Sequence, residues 1–270
     1  KDIQFNTIPD APGVYFFRGA KRKLLYIGKA TSLRSRVRSY FNTDISTSRG
    51  PLIVKMLEEA QSVEWQETDS VLEALILEAN LIKKHQPSAN TRDKDNKSFN
   101  YLVVTQEDFP RLLIVRGRDL FSEWVERDIK HLFGPFSSGS GLKEGLKIIR
   151  KIFPFREMCL PMQAGEPEMG KPCFNRQIKL CPGMCSGEIT KIEYAKNITN
   201  IRLLFEGRKT KLVQSLERAM KKHAKAEEFE KAEVEKRQIF ALTHIQETAL
   251  LGSDYKISDG AGSGRIEAYD

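Results

Sequence analysis

The first ninety residues hold an unusual set of reactive side chains. Tyr15 and Tyr26 each sit beside a glycine signal, in Gly13-Val14-Tyr15 and Tyr26-Ile27-Gly28, and Lys29 follows at once. Arg36 and Tyr40 are four residues apart, so on a helix they share one face. Glu78 stands within an apolar run with helical spacing, and Asn90 follows it past Pro87. Phenols, an amine, a guanidinium, a carboxylate and a carboxamide are the groups that phosphodiester hydrolysis calls for. A metal neutralises developing charge, a base activates water, and an arginine stabilises the charged transition state. A free phenol has a pKa of about 10, too high for a base at neutral pH, unless a nearby positive charge lowers it. Lys29, three residues from Tyr26, is the expected source of that charge.

Charge points to a polyanionic partner. Lys plus Arg is 44 against 36 for Asp plus Glu, a net charge of +8. From Ala11 to Thr43 there are eight basic residues and no acidic one. Arg18, Lys21, Arg22, Lys23, Arg34 and Arg38 are the candidate backbone contacts, which position a nucleic acid without reading its sequence. No apolar run approaches the ~18 residues of a membrane span, and the first residues lack an apolar signal core, so a cytoplasmic protein is expected. The four cysteines, Cys159, Cys173, Cys181 and Cys185, are crowded into one segment with spacing C-x13-C-x7-C-x3-C. That clustering suggests a metal centre better than a disulfide framework. An iron–sulfur cluster, zinc and free thiols all remain open, and Pro182-Gly183 favours a tight turn between the last two. No nucleotide-binding Gly-rich lysine motif occurs, and the four histidines are scattered.

These groups need elements to hold them. Gly13–Phe17 and Leu24–Ile27 read as a β-hairpin with Arg18–Lys23 as connector and Gly28 ending the second strand. Thr31 is placed to cap a helix from about Ser32 to Tyr40. Pro51 opens a helix over Leu52–Ala60, Val63 and Trp65 mark a third strand, and Asp69–His85 is an amphipathic helix capped by Asp69 or Ser70. Further on, Tyr101–Thr105 and Leu112–Val115 are strands, Gly134–Gly139 a loop and Gly141–Phe153 a helix. Lys209–Lys225 and Ala226–Gln246 form a helical hairpin, and a Gly/Ser-rich tail reads as a linker. The fold class is α+β and multi-domain: a small α/β unit with a three-stranded antiparallel sheet, a middle α/β segment with the cysteine cluster, and an α-helical hairpin. The expected boundaries are 1–97, 98–158, 159–188, 189–250 and 251–270.

The sequence resembles the GIY-YIG nucleases, and more closely the N-terminal portion of the bacterial UvrC excinuclease family. The matching stretches, in order, are PGVYFF, LLYIGKATSLRSRVRSYF, LEANLIKKHQP with Asn90, FPRLLIVR, LFGPFSSG, LKIIRKIFPFREMC and PCFNRQIKLCPGMC. The resemblance implies metal-dependent, 3′-side incision of damaged double-stranded DNA in nucleotide excision repair. It implies that Tyr26 is the general base or water-orienting phenol, helped by Lys29, and that Tyr15 lines the same site. Arg36 would contact the scissile phosphate with Tyr40 in support. Glu78 would hold Mg²⁺ or Mn²⁺, for which one carboxylate is enough, and Asn90 would position phosphate or site groups. For the four cysteines it implies a [4Fe–4S] cluster. For the hairpin, centred on Met220 through Leu242, it implies a UVR-like motif that docks the excinuclease B subunit, although Glu233–Arg237 departs from the usual pattern. Residues 264–270 resemble the opening strand of an RNase H-like nuclease, with Asp270 as its first carboxylate, so the chain reads as part of something longer. A stand-alone GIY-YIG endonuclease and a non-catalytic DNA-binding adaptor are the alternatives.

Overall fold

The computed structural model describes residues 5–42, 50–91, 98–157 and 172–245. The first sheet is antiparallel in the order β2-β1-β3, with β1 at Gly13–Arg18, β2 at Leu24–Ala30 and β3 at Ser62–Glu67. Period-two alternation in β1 sends Tyr15 and Phe17 to one face and Val14 and Phe16 to the other. The first face packs on α1 (Leu33–Arg38) and α2 (Pro51–Glu59) through Leu33, Val37 and Met56. The second packs on α3 (Val71–His85), where Ala74 and Ile82 meet Val14 and Ile27.

Two expectations about this unit change. Gly28 does not end β2. It lies inside the strand opposite Tyr15, and a Cβ at that position would run into the Tyr15 phenol. The glycine therefore makes room for a ring. Ser32, not Thr31, caps α1: its hydroxyl accepts from the Ser35 amide at 3.2 Å, and the helix passes into a 3₁₀ turn at Ser39–Phe41. Ser70 caps α3 in the same way through the Glu73 amide.

The second sheet, in the order β5-β4-β6, contains β4 (Asn100–Thr105), β5 (Leu112–Arg116) and β6 (Ile129–Phe136). The expected loop at Gly134–Gly139 is in part β6. Gly-Pro is a turn signal in sequence, but Pro135 lies on an edge strand, where a missing ladder donor is tolerated. A helix not expected from the sequence, α4 (Gly117–Glu123), covers the outer side of this sheet, and α5 (Gly139–Ile152), α6 (Lys191–Phe205), α7 (Lys209–Lys225) and α8 (Phe229–Thr243) follow.

Helix α3 joins the two sheets, lending residues to a core on each side. Leu72, Leu75, Ile76 and Ala79 of α3 pack with Leu102, Phe136, Leu142 and Phe205. Asn80 of α3 also donates to the Phe205 carbonyl at 3.0 Å, and Lys209 reaches back to Asp69 and Glu73 at 3.0 and 2.5 Å. Thus α3 has one face on each sheet. The hairpin α7–α8 is present as expected, its second helix starting at Phe229 and not Ala226. No helix among the described residues is long and apolar enough to cross a membrane.

Candidate active site

On the α1 face of the first sheet, Tyr15, Tyr26 and Tyr40 form a cluster with ring centroids 5.8 to 6.2 Å apart, and Phe17 completes it. The Tyr15 and Tyr40 hydroxyls share a hydrogen bond of 2.8 Å. Arg36, on the inner side of α1, lies among them, and its Nε is buried with no protein hydrogen-bond partner. Burial opposes its charge, but Tyr15 and Tyr40 outweigh that and hold the guanidinium above its usual range. A cation with an unused buried donor, ringed by phenols, suits an incoming phosphate.

Burial raises the Tyr15 phenol well above its usual range, reinforced by Tyr40 and Tyr26 and opposed by Arg36. Tyr26 is raised too, by burial first, then by Tyr40 and Glu78, again with Arg36 opposing. The positive charge acting to lower the Tyr26 phenol is Arg36, because alternation along β2 puts Tyr26 on the α1 side and Lys29 on the α3 side. In this state the Tyr26 proton is held firmly.

Glu78 and Asn90 secure the outer edge of β2. Asn90 Oδ1 accepts from the Ile27 amide and its Nδ2 donates to the Ile27 carbonyl, both at 2.8 Å. Two residues along, the Lys29 amide donates to Glu78 Oε1 at 3.1 Å. Asn90 therefore acts on the strand that carries Tyr26 and Lys29. Glu78 is only 3% exposed. Burial raises its carboxyl, while Lys29, a hydrogen bond from Ser137 and Arg36 pull the other way. Ser137 Oγ donates to Glu78 Oε2 at 2.8 Å from the loop after β6. The sequence reading missed this residue. Its only signal was the Ser-Ser pair following Gly134-Pro135-Phe136.

The chemistry of Glu78 fits a hard divalent cation. Each of its oxygens keeps a lone pair after its protein bond, and a desolvated carboxylate favours a positive partner. Among the described residues no group of three or more His, Cys, Asp or Glu is placed to hold a metal ion. A cation at Glu78 would thus draw most of its shell from water and substrate oxygens, as Mg²⁺ commonly does.

The basic segment is less free than the sequence suggests. Arg18 and Arg22 both bond Glu64 of β3, at 2.5 and 2.8 Å, so an acid 42 residues on from Arg22 compensates them. Arg34 Nε donates to the Ile8 carbonyl at 2.8 Å. Lys21, Lys23 and Arg38 are exposed. In the cysteine segment, Cys181 is buried, and burial pushes its thiol up, whereas Cys173 and Cys185 are half-buried. Gly183 adopts the left-handed conformation (φ 86°) of the expected turn. Cys159 lies outside the described residues, as do residues 251–270.

Two family profiles match in the order of the two sheets. The UvrC-like GIY-YIG domain matches residues 11–91, and the UvrC/Cho excinuclease middle domain matches residues 99–204. Both domains of this chain are UvrC-like. UvrABC system protein C of Moorella thermoacetica is 39% identical over 248 residues, 91% of this chain and 38% of that protein. Its counterpart in Carboxydothermus hydrogenoformans is 40% identical over 239 residues, 88% and 37% respectively. The chain thus spans under two-fifths of the length of these UvrC relatives. The crystal structure of the GIY-YIG N-terminal endonuclease domain of UvrC from Thermotoga maritima, bound to magnesium as its catalytic divalent cation, is 36% identical. The match covers 34% of this chain and all of that one, with a TM-score of 0.29. In UvrC terms, the tyrosine cluster, Glu78 and Asn90 lie in the GIY-YIG domain and Ser137 in the middle domain.

Proposed function

We propose that this chain is the nuclease-bearing part of an excinuclease that hydrolyses a DNA phosphodiester during nucleotide excision repair, on the 3′ side of a lesion marked by the B subunit. The observation that carries the reading is the convergence of Arg36 and three phenols on one side of β2 with a buried, desolvated Glu78 at that strand's edge. A divalent cation, Mg²⁺ or Mn²⁺, would be held by Glu78 and would supply charge neutralisation at the reacting phosphate. Arg36 binds a non-bridging phosphate oxygen through its unused Nε–H. Tyr26 orients the attacking water; once bound charge brings its pKa down and the phenol has released its own proton to solvent, the phenolate accepts the proton of that water. Tyr40 and Tyr15, bonded to each other, fix the position of Arg36. Lys29 adds positive charge on the other side of the strand, and Asn90 keeps β2 in register. Lys21, Lys23 and Arg38 contact the DNA backbone, with Arg34 beside them. Arg18 and Arg22 first have to exchange Glu64 for phosphate.

The α7–α8 hairpin supports docking of the excinuclease B subunit. Phe229, Val234 and Phe240 are exposed there, and a groove of about 750 Å³ between α6, α7 and α8 has Val234 in its lining. The domain boundaries at 97, 158, 188 and 250, and work in the cytoplasm, belong to the same reading. No step of this reading passes through a [4Fe–4S] cluster: among the described residues no group of three or more His, Cys, Asp or Glu is placed to hold a metal ion, and Cys159 lies outside them.

The test is plasmid nicking with Mg²⁺ or Mn²⁺. Arg36→Ala is expected to lower the rate about 10²–10³-fold, and Glu78→Ala to abolish nicking, with circular dichroism unchanged. Normal nicking by either variant overturns the assignment.

A further inference from the structure

We infer that Ser137, from the middle domain, is a positioning residue for the cation-binding carboxylate of the nuclease domain. The inference rests on the reading of Glu78 just given. Ser137 is exposed and contributes nothing to the core, and its hydroxyl donates to Glu78 Oε2 across 59 residues of sequence. Its neighbours hold it there. Phe136 is buried in the core shared with Leu72 and Leu75 of α3. On the other side, Ser138 is committed as the cap of α5, accepting from the Gly141 amide at 3.1 Å. Gly139 lies so near the Asn100 side chain that a Cβ there would be 2.8 Å from its amide nitrogen. Farther along α5, Gly145 lets that helix approach α3 so closely that a Cβ would sit 2.9 Å from Leu72. The loop is therefore clamped, and the Ser137 hydroxyl is delivered to Glu78 by the packing of one domain on the other.

The two bonds to Glu78 divide the work. The Lys29 amide fixes Oε1 and Ser137 fixes Oε2, so the carboxylate plane is set from both ends while a lone pair on each oxygen stays available. A metal-ligating carboxylate held by hydrogen bonds of this kind binds its cation more tightly than one free to rotate, and loss of such a partner typically costs about 10–100-fold in affinity.

Mn²⁺ binding to the full chain, followed by electron paramagnetic resonance of the free ion, tests this. Ser137→Ala is expected to raise the Mn²⁺ Kd about tenfold or more, with the metal-free circular dichroism spectrum unchanged. Ser137→Thr, which keeps the hydroxyl, is expected to stay near the parent. An affinity for Ser137→Ala equal to the parent's overturns the proposal, and a tighter one does so by showing that the hydroxyl competes with the cation. Loss in Ser137→Thr as deep as in Ser137→Ala also overturns it, since the hydroxyl is then not the cause. Glu78→Gln separates the two readings. If it binds Mn²⁺ as the parent does, the cation is not at Glu78 and both fail. If it loses binding while Ser137→Ala does not, only the role of Ser137 fails.

Discussion

The side-chain amide of Asn90 hydrogen-bonds both backbone groups of Ile27, standing in for a neighbouring strand. An edge strand carries a row of unpaired donors and acceptors. Here Asn90 takes one residue's pair and Glu78 takes the next outward amide, that of Lys29. Asn90→Ala leaves the Ile27 groups unpaired in a largely buried place, at about 1–3 kcal/mol. Urea unfolding is expected to show that loss, with faster hydrogen exchange at Ile27 and slower nicking. Unchanged exchange at Ile27 would contradict the role.

The Tyr15–Tyr40 hydroxyl pair should behave as a unit. Tyr15→Phe or Tyr40→Phe alone removes the hydrogen bond the two hydroxyls share and costs about 0.5–1.5 kcal/mol. The double variant loses that shared bond only once and should be less destabilised than the sum of the singles. A double-mutant cycle on unfolding free energies measures the difference.

Gly28 faces the Tyr15 ring across the β1–β2 pair. Gly28→Ala overfills that space and is expected to destabilise the chain by about 1–3 kcal/mol. It should also shift the Tyr15 ring signals in NMR.

Acid should loosen the helical hairpin at a particular residue. Hydrogen bonds from Lys231 and His223 lower the Glu228 carboxyl from 4.5 to about 2. A carboxylate with a depressed folded-state pKa adds stability above its unfolded value, and that contribution disappears as pH falls through the folded one. The α7–α8 turn is therefore expected to hold above about pH 4.5 and to weaken toward pH 2. A carboxyl-carbon NMR titration giving Glu228 an ordinary value would refute it.

Much of this was legible in the sequence where local chemistry decides. Alternation gave β1 and β3, helical spacing with Ser70 gave α3, and Arg36 with Tyr40 fell on one face as spacing required. The misreadings occur where a distant partner overrides a local signal. Gly28 looks like a terminator until Tyr15 is seen to need the space. Gly134-Pro135 looks like a turn until β6 proves to be an edge strand. Arg18 and Arg22 look uncompensated because Glu64 is on another strand. Ser137 has no local signature, since its meaning comes from a carboxylate in a different domain.

Helix α3 has no face that it can surrender alone. Ala74 and Ile82 belong to the first sheet, and Leu72, Leu75, Ile76 and Ala79 to the second. To free an amide in its middle, both cores must open. Heat should accordingly melt the GIY-YIG and middle domains in one cooperative step, despite their separate sheets. The beads on this string share a wall, and the Glu78 carboxylate is set into it.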